Sequence, residues 1–381
     1  MKNLYLLENI NDSNLKKTIN TDDSEIITFD YFSHNILSAH QIKHRIMDEY
    51  LEEQDREKFF GFATSLWEWY KILDEKNFTF HNINLLSIID RNELHEFLMS
   101  LIPKITAIKK ILAQIDFTKI YASFEIYQLL KNNTDYDVVL FEGNKNNSLL
   151  TYDKITLSYD NIPFSIRPKL SRSKFRMIKK NQEKITSKMF HLRKNIPEKK
   201  KIVLIEFNPE VYEDLLYEMQ KKKIQPILIN FRRPATWSLK SINILRKTDS
   251  LVILPEDFLG KQALTQIQEE KKLMLPKIKN TLKNESLKLS GVFIYEGIKF
   301  HNILIDLFIK ILIDRLEEYL IQILVSEKLD KFDNVIGAIT LNFSGETEKS
   351  FSKVIKKFPV TLLQHAFSNY TKSLMFLDVL D

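Results

Sequence analysis

Five times along this 381-residue chain an apolar run ends on side chains able to bind an anion or carry a proton. DVVLF is followed by Glu142, KKIVLI by Glu206 and Asn208, QPILINF by Arg232 and Arg233, LVILP by Glu256 and Asp257, and PVTLL by Gln364 and His365. In open parallel α/β sheets ligands bind beyond the carboxyl ends of the strands, so chemistry is expected at these positions. Paired guanidiniums at Arg232 and Arg233, with Pro234 behind them, suit bidentate recognition of phosphate or carboxylate. An imidazole at His365 can donate, accept or shuttle a proton near neutral pH. Each position also has a plainer use as a cap or loop anchor, and Asn208 ahead of Pro209 reads as the N-cap of the helix that follows.

Composition removes several other chemistries. With no cysteine there is no disulfide, thiol nucleophile, iron–sulfur cluster or thiolate zinc site. Eight histidines remain. His34, His40 and His44 come nearest to a ligand set, His40 and His44 being four apart and expected on one helix face, but no third ligand is evident nearby and no metal is expected. The seven glycines form neither GxGxxG nor GxxxxGK[ST], which removes the usual dinucleotide fingerprint and the P-loop. No uncharged apolar run approaches the roughly 18–20 residues of a membrane span, and MKNLYLLENINDSN lacks the features of a signal peptide, so the expected location is the cytoplasm.

The elements that must position these residues alternate. NLYLLE (3–8), EIITFD (25–30), KIYAS (119–123) and DVVLFEG (137–143) read as strands, and helices are expected from Ser38 to about Tyr70, over 91–112 with an interruption near Pro103, and over 124–132. KITLSYDNIPFSIR (154–167) reads as an edge hairpin. After Pro197 the pattern restarts. Strands are expected at 200–207, 225–231, 251–255, 334–343 and 359–365. Helices are expected at 209–223, from Lys261 to about Glu285, at 301–329 and at 346–358. This is an α/β protein with Rossmann-like parallel sheets flanked by helices. Its expected domains are a first lobe over 1–166, a basic helical linker over 167–200 and a second lobe over 201–381. The linker region is the most charged: from Arg167 to Lys201 there are fourteen Lys and Arg against Glu183 and Glu198. It reads first as a solvated helix and second as a surface for anionic headgroups. Without a reading motif or aromatic interleaving it is not expected to bind nucleic acid.

FPVTLLQHAFSNY resembles the strand-end QHG element of glycosyltransferase-B-type enzymes of surface-polysaccharide assembly, including the CDP-glycerol glycerophosphotransferase-like group. The preceding NVIGAITLNFSGETEKSFSKVIKKF is similar to the strand and acidic, helix-opening segment that lead into that element. LWEWYKILDEKNF resembles the tryptophan-rich segment of a surface carbohydrate biosynthesis family, here Trp67, Trp69, Asp74, Glu75, Lys76 and Asn77. The match is specific near 66–95 and 334–370 and diffuse elsewhere. It departs at Ala366, where the family has glycine, and only 16 residues follow His365.

The resemblance implies a glycosyltransferase-B-like fold, with the chain the acceptor-side portion of a longer enzyme lacking most of the donor lobe, or else a compact complete enzyme. It implies transfer of a sugar or polyol phosphate from a nucleotide-activated donor to a glycan or lipid-linked acceptor, without a cofactor, at the inner face of the membrane. In that scheme His365 and Gln364 face the cleft at the donor phosphate, Glu206 is the base for the acceptor hydroxyl, and Arg232 or Arg233 binds an anionic acceptor, with Asn208 and Glu142 as further substrate contacts. The alternative is a non-catalytic binding or scaffold protein that docks on a membrane or an acidic partner through 167–201.

Overall fold

In a computed structural model the structure describes residues 2–10, 19, 23–141, 154–156 and 169–363. The chain runs β1 (Lys2–Leu7), β2 (Ser24–Thr28), α1 (Tyr31–Ala39), β3 (Arg45–Ile46), α2 (Glu53–Ser65), β4 (Thr79–Phe80), β5 (Ile83–Asn84), α3 (Arg91–Gln114), β6 (Phe117–Ala122), α4 (Phe124–Lys131) and β7 (Val138–Leu140). It continues through β8 (Lys154–Thr156), β9 (Lys169–Ser171), α5 (Arg172–Met189), β10 (Lys200–Ile205), α6 (Glu213–Lys221), β11 (Ile224–Ile229), α7 (Leu239–Lys247), β12 (Leu251–Val252) and α8 (Pro255–Leu259). The remaining elements are α9 (Lys261–Asn284), α10 (Ser286–Val292), β13 (Ile294–Tyr295), β14 (Ile298–Lys299), α11 (His301–Asp330), β15 (Val335–Thr340), α12 (Glu346–Val354) and β16 (Val360–Leu362).

Two compact units result, each built from separate stretches of chain. The first comprises Met1–Ile72, Glu93–Leu150 and Leu282–Phe308, and the second Leu73–Asn92, Thr151–Thr281 and Ile309–Asp381. Continuous lobes over 1–166 and 201–381 were expected. Instead residues 73–92 and the whole basic segment belong to the second unit, and 282–308 to the first.

Each unit holds one five-stranded, all-parallel sheet, in the orders β3-β2-β1-β6-β7 and β12-β11-β10-β15-β16. The strands are short β-branched and leucine runs because both faces of a parallel sheet are covered. Leu4, Leu6, Leu7, Ile27 and Ile120 are fully buried in the first unit, as are Val203, Leu204, Ile205, Ile227 and Leu228 in the second. In the second, Leu204, Leu228 and Val252 pack with Leu216 and Met219 of α6 and Leu245 of α7. The fold class is thus α/β with two Rossmann-like parallel sheets flanked by helices. Among the described residues no helix is long and apolar enough to cross a membrane.

Several boundaries differ from the sequence reading. The single helix expected from Ser38 to Tyr70 is replaced by α1, β3, a 3-10 turn at Met47–Tyr50, α2 and a second 3-10 turn at Trp69–Ile72. The helix ends where Gln41 turns left-handed at φ 56, and β3 then pairs with β2, Ile27 opposite Arg45. Two residues of strand leave no period to detect. Helix α3 runs unbroken through Pro103. Of the expected 154–167 hairpin, β8 pairs antiparallel with β9, beyond that segment, and the residues between them lie outside those described. Asn208 does not cap α6, which starts only at Glu213. Its Oδ1 accepts from Glu210 N at 3.0 Å and its carbonyl from Val211 and Tyr212, closing a turn.

The tryptophan-rich segment has structural work in each unit. In the first, Trp69 stacks on Phe308 with centroids 4.0 Å apart and planes at 6°, and also meets Phe293. In the second, Asp74 caps the 3-10 turn Glu75–Asn77 by accepting from Lys76 N at 3.1 Å. Trp69→Ala should lower stability by about 3–5 kcal/mol, as expected for deletion of a buried aromatic, measured by urea unfolding of the intact chain. A loss under about 1 kcal/mol would show that the stack contributes little.

Candidate functional site

In the second unit β10 has β11 on one side and β15 on the other, so the chain leaves its carboxyl end toward opposite edges of the sheet. That is the switch point at which α/β sheets bind ligands. Glu206 directly follows β10 and adopts φ 62, a left-handed conformation that costs a non-glycine residue roughly 1–3 kcal/mol. Its Oε1 accepts from Phe231 N at 2.6 Å, Arg232 N at 3.1 Å and Thr347 Oγ1 at 3.1 Å. One carboxylate therefore ties the ends of β10 and β11 to the start of α12.

The approach to α12 is set by Asn342, whose Oδ1 accepts from Ser344 N at 3.1 Å and Gly345 N at 3.0 Å. Gly345 is the N-cap, and a Cβ there would run into the Glu348 carboxylate. The first turn then carries Glu346 and Glu348 into opposite surroundings. Glu346 accepts from Arg315 Nη1 at 2.6 Å, Tyr319 OH at 2.7 Å and Arg172 Nη2 at 2.7 Å. Burial alone would raise its carboxyl, but the Arg172 and Arg315 guanidiniums outweigh it and hold it down to about 2. Glu348 is fully buried, and burial pushes it up to about 7, opposed by Arg232 and reinforced by Glu206 and Asp90. Its Oε1 pairs with Arg232, while its Oε2 has no hydrogen-bond partner among the described residues. The neighbouring Lys349, buried and donating to the carbonyl of Ile89, is pushed down to about 7 by desolvation.

Helix α5 supplies the cations. It was expected to be a solvated linker, yet Phe175, Lys179, Glu183 and Ser187 are buried. Lys179 donates to Asn230 O at 2.6 Å and pairs with Glu183 at 3.1 Å, and Glu183 accepts from Ala235 N at 2.8 Å. Several other basic residues of the segment meet acids from other elements: Arg176 and Lys180 lie 3.6 and 3.5 Å from Glu256, and Arg193 lies 2.8 Å from Asp257. The charge count along the segment hid these partners. With Lys179 buried, a docking surface through it has no free cation at that position. Beside this helix is a small, partly open recess lined by Arg176, Lys179, Lys180, Glu183, Phe231 and Glu256, with Leu254 and Pro255.

The first unit ends its central strand in the same way. Glu8 follows β1, its amide donating to Ser123 Oγ at 2.8 Å, and Asn9 takes the left-handed turn at φ 52. Lys104 of α3 pairs with Glu8 and, at 3.3 Å, with Glu125. Burial pushes Glu8 up to about 7, with Lys104 opposing. Lys104 is penalised by the same burial but held charged by its two carboxylates. His44, expected to share a helix face with His40, lies in a loop and instead meets His34 at 2.9 Å. Among the described residues no group of three or more His, Asp or Glu is placed to hold a metal ion.

Of the residues proposed from sequence, Glu206 and Arg232 come together. Arg233 and Asn208 are exposed nearby in sequence, Arg233 following Arg232 and Asn208 beyond the Glu206 turn. Gln364, His365 and Glu142 lie outside the described residues. Glu346, Glu348, Arg172, Arg315, Lys104 and Glu8 were not singled out. Glu8 was legible by the same strand-end rule, and Glu346 and Glu348 in GETEKS sat inside the acidic segment of the resemblance. Searches with family models, among curated proteins and among solved structures found no match to the chain.

Glu346→Gln should cost about 3–5 kcal/mol at pH 7, because it leaves Arg315 and Arg172 without their shared anion. That contribution is present above pH 4.5, the ordinary carboxyl value, and is lost as pH falls toward about 2, so the difference from wild type should narrow on acidification. Glu348 has the opposite sign. Its folded carboxyl holds its proton to about 7, so stability falls as pH rises from 4.5 to 7, and Glu348→Gln should gain on wild type between pH 5 and pH 8. Chemical denaturation across that range checks both signs, and parallel pH dependence of the two variants would contradict the assignment.

Proposed function

We propose that the chain is a glycosyltransferase-like enzyme of surface polysaccharide or glycan assembly that moves a sugar or polyol phosphate from a nucleotide-activated donor. One observation supports this reading most directly. The recess beside the carboxyl ends of β11 and β12 places Arg176 and Lys180 next to Phe231. Cations can neutralise a diphosphate, and an aromatic ring can pack against a base or sugar. Arg176 and Lys180 are held to Glu256 only by pairs longer than 3.4 Å, so both can turn to a phosphate without breaking a short hydrogen bond.

In this reading the leaving phosphate is stabilised by preorganised side chains. Glu206, already accepting three hydrogen bonds, positions Arg232 rather than acting as the base. Gln364 and His365 keep the roles at the donor phosphate that the resemblance implies. The acceptor is a glycan or a lipid-linked glycan.

Calorimetric titration of the full chain with a panel of nucleotides and nucleotide-sugars tests the reading. The expected result is saturable binding of at least one nucleotide-sugar, weakened tenfold or more in an Arg176→Ala, Lys180→Ala double variant. Absence of binding to the folded protein, or equal affinity in the double variant, would overturn it.

A further inference from the structure

Arg232 is the exposed end of an otherwise buried network. Its side chain is 44% exposed, while the Glu348 carboxylate that it meets is wholly buried. Its Nε lies 3.8 Å from Glu206 Oε2, too far for a hydrogen bond, so the Glu348 pair is what holds the guanidinium inward. The buried partner is itself poorly satisfied. Glu348 Oε2 has no hydrogen-bond partner among the described residues, and the carboxylate lies so close to Gly345 that any side chain there would collide with it.

We propose that Arg232 is the arm of an oxyanion-binding site at the tip of β11, and that Glu348 is the positioning residue that closes it by competing for the guanidinium. The ligand is a compact dianion: sulfate, phosphate, or the phosphate of a larger molecule. The charges around Glu348 show why binding must be coupled to a proton. From the loop after β10 it faces Glu206, from the loop after β11 Arg232, and from the chain before α3 Asp90. Glu346 is matched by Arg172 of α5 and Arg315 of α11, and Lys349 on the same helix turns away to Ile89. Arg232 is thus the cation that meets both Glu206 and Glu348. An anion that takes Arg232 would leave Glu348 as an unpaired buried charge, which is avoided by taking up one proton. Glu348 is suited to this, being raised to about 7 by burial.

The site is independent of the transferase reading unless the dianion belongs to the donor or to an anionic acceptor, and two probes separate the donor case. Sulfate and the diphosphate diester of a nucleotide-sugar both keep their charge between pH 6 and 9, so proton uptake on binding reports the protein alone. Calorimetry of the full chain at constant ionic strength, in buffers of different ionisation enthalpy, counts that proton without any variant. The expected result is sulfate binding with uptake of close to one proton at pH 8, and an affinity that falls about tenfold per pH unit above 7. Glu348→Gln should bind sulfate more tightly at pH 8 with no proton uptake, and Arg232→Gln should not bind it. No sulfate binding, binding without proton uptake, or Glu348→Gln with the wild-type pH profile would overturn the proposal. Sulfate binding as expected with no response to nucleotide-sugars would leave this site standing and count against the donor reading.

Discussion

The second unit is organised around charge that cannot leave its core. Where β10 ends, the Glu206 carboxylate enters a left-handed turn and takes the amides of Phe231 and Arg232 together with the hydroxyl of Thr347. Those bonds fix the carboxyl end of the sheet to the first turn of α12. Once that turn is fixed, Glu346 and Glu348 must both be buried, and each needs its own answer to the cost of desolvation. Glu346 receives two arginines and a tyrosine, whereas Glu348 shares one arginine with Glu206 and is left with an unpaired oxygen. Two residues of one type and one helical turn are thereby driven to opposite ends of the carboxyl range, a pattern that assigns acid and base roles in protein sites.

The rest of the unit follows from supplying those partners. Arg315 and Tyr319 sit on the buried face of α11, where Gln322 also accepts from Ser350 and donates to Thr347. Arg172 opens α5, held by Ser171 at the N-cap, and the same helix carries Lys179 and Glu183 to the end of β11. The first unit repeats the strand order and the carboxylate after the central strand but neutralises it differently, with Lys104 shared between Glu8 and Glu125. Shared topology thus places a glutamate at each switch point, while local partners decide its charge.

The strands were legible because a parallel sheet demands apolar runs on both faces, and KKIVLI and VIGAIT could be little else. The strand-end rule found Glu206 and Arg232 because it depends only on where those runs stop. Glu8 obeys the same rule, ending NLYLLE just as Glu206 ends its run. What composition could not show was pairing across the chain. Helix α5 reads as solvated from its lysines and arginines because Glu256, Glu318 and Glu346, which neutralise them, lie about 80 to 170 residues away. Nor could the letters GETEKS distinguish Glu346 from Glu348, since their difference resides wholly in Arg172, Arg315 and Arg232.

The most direct test of this account is a carboxyl-carbon NMR titration of the intact chain labelled at glutamate, with Glu346→Gln and Glu348→Gln used to assign the two resonances. The account predicts that the Glu348 carboxyl titrates near pH 7 while the Glu346 carboxyl stays ionised to the acid limit of the folded state. Two carboxyls titrating together near the ordinary glutamate value of about 4.3 would contradict it.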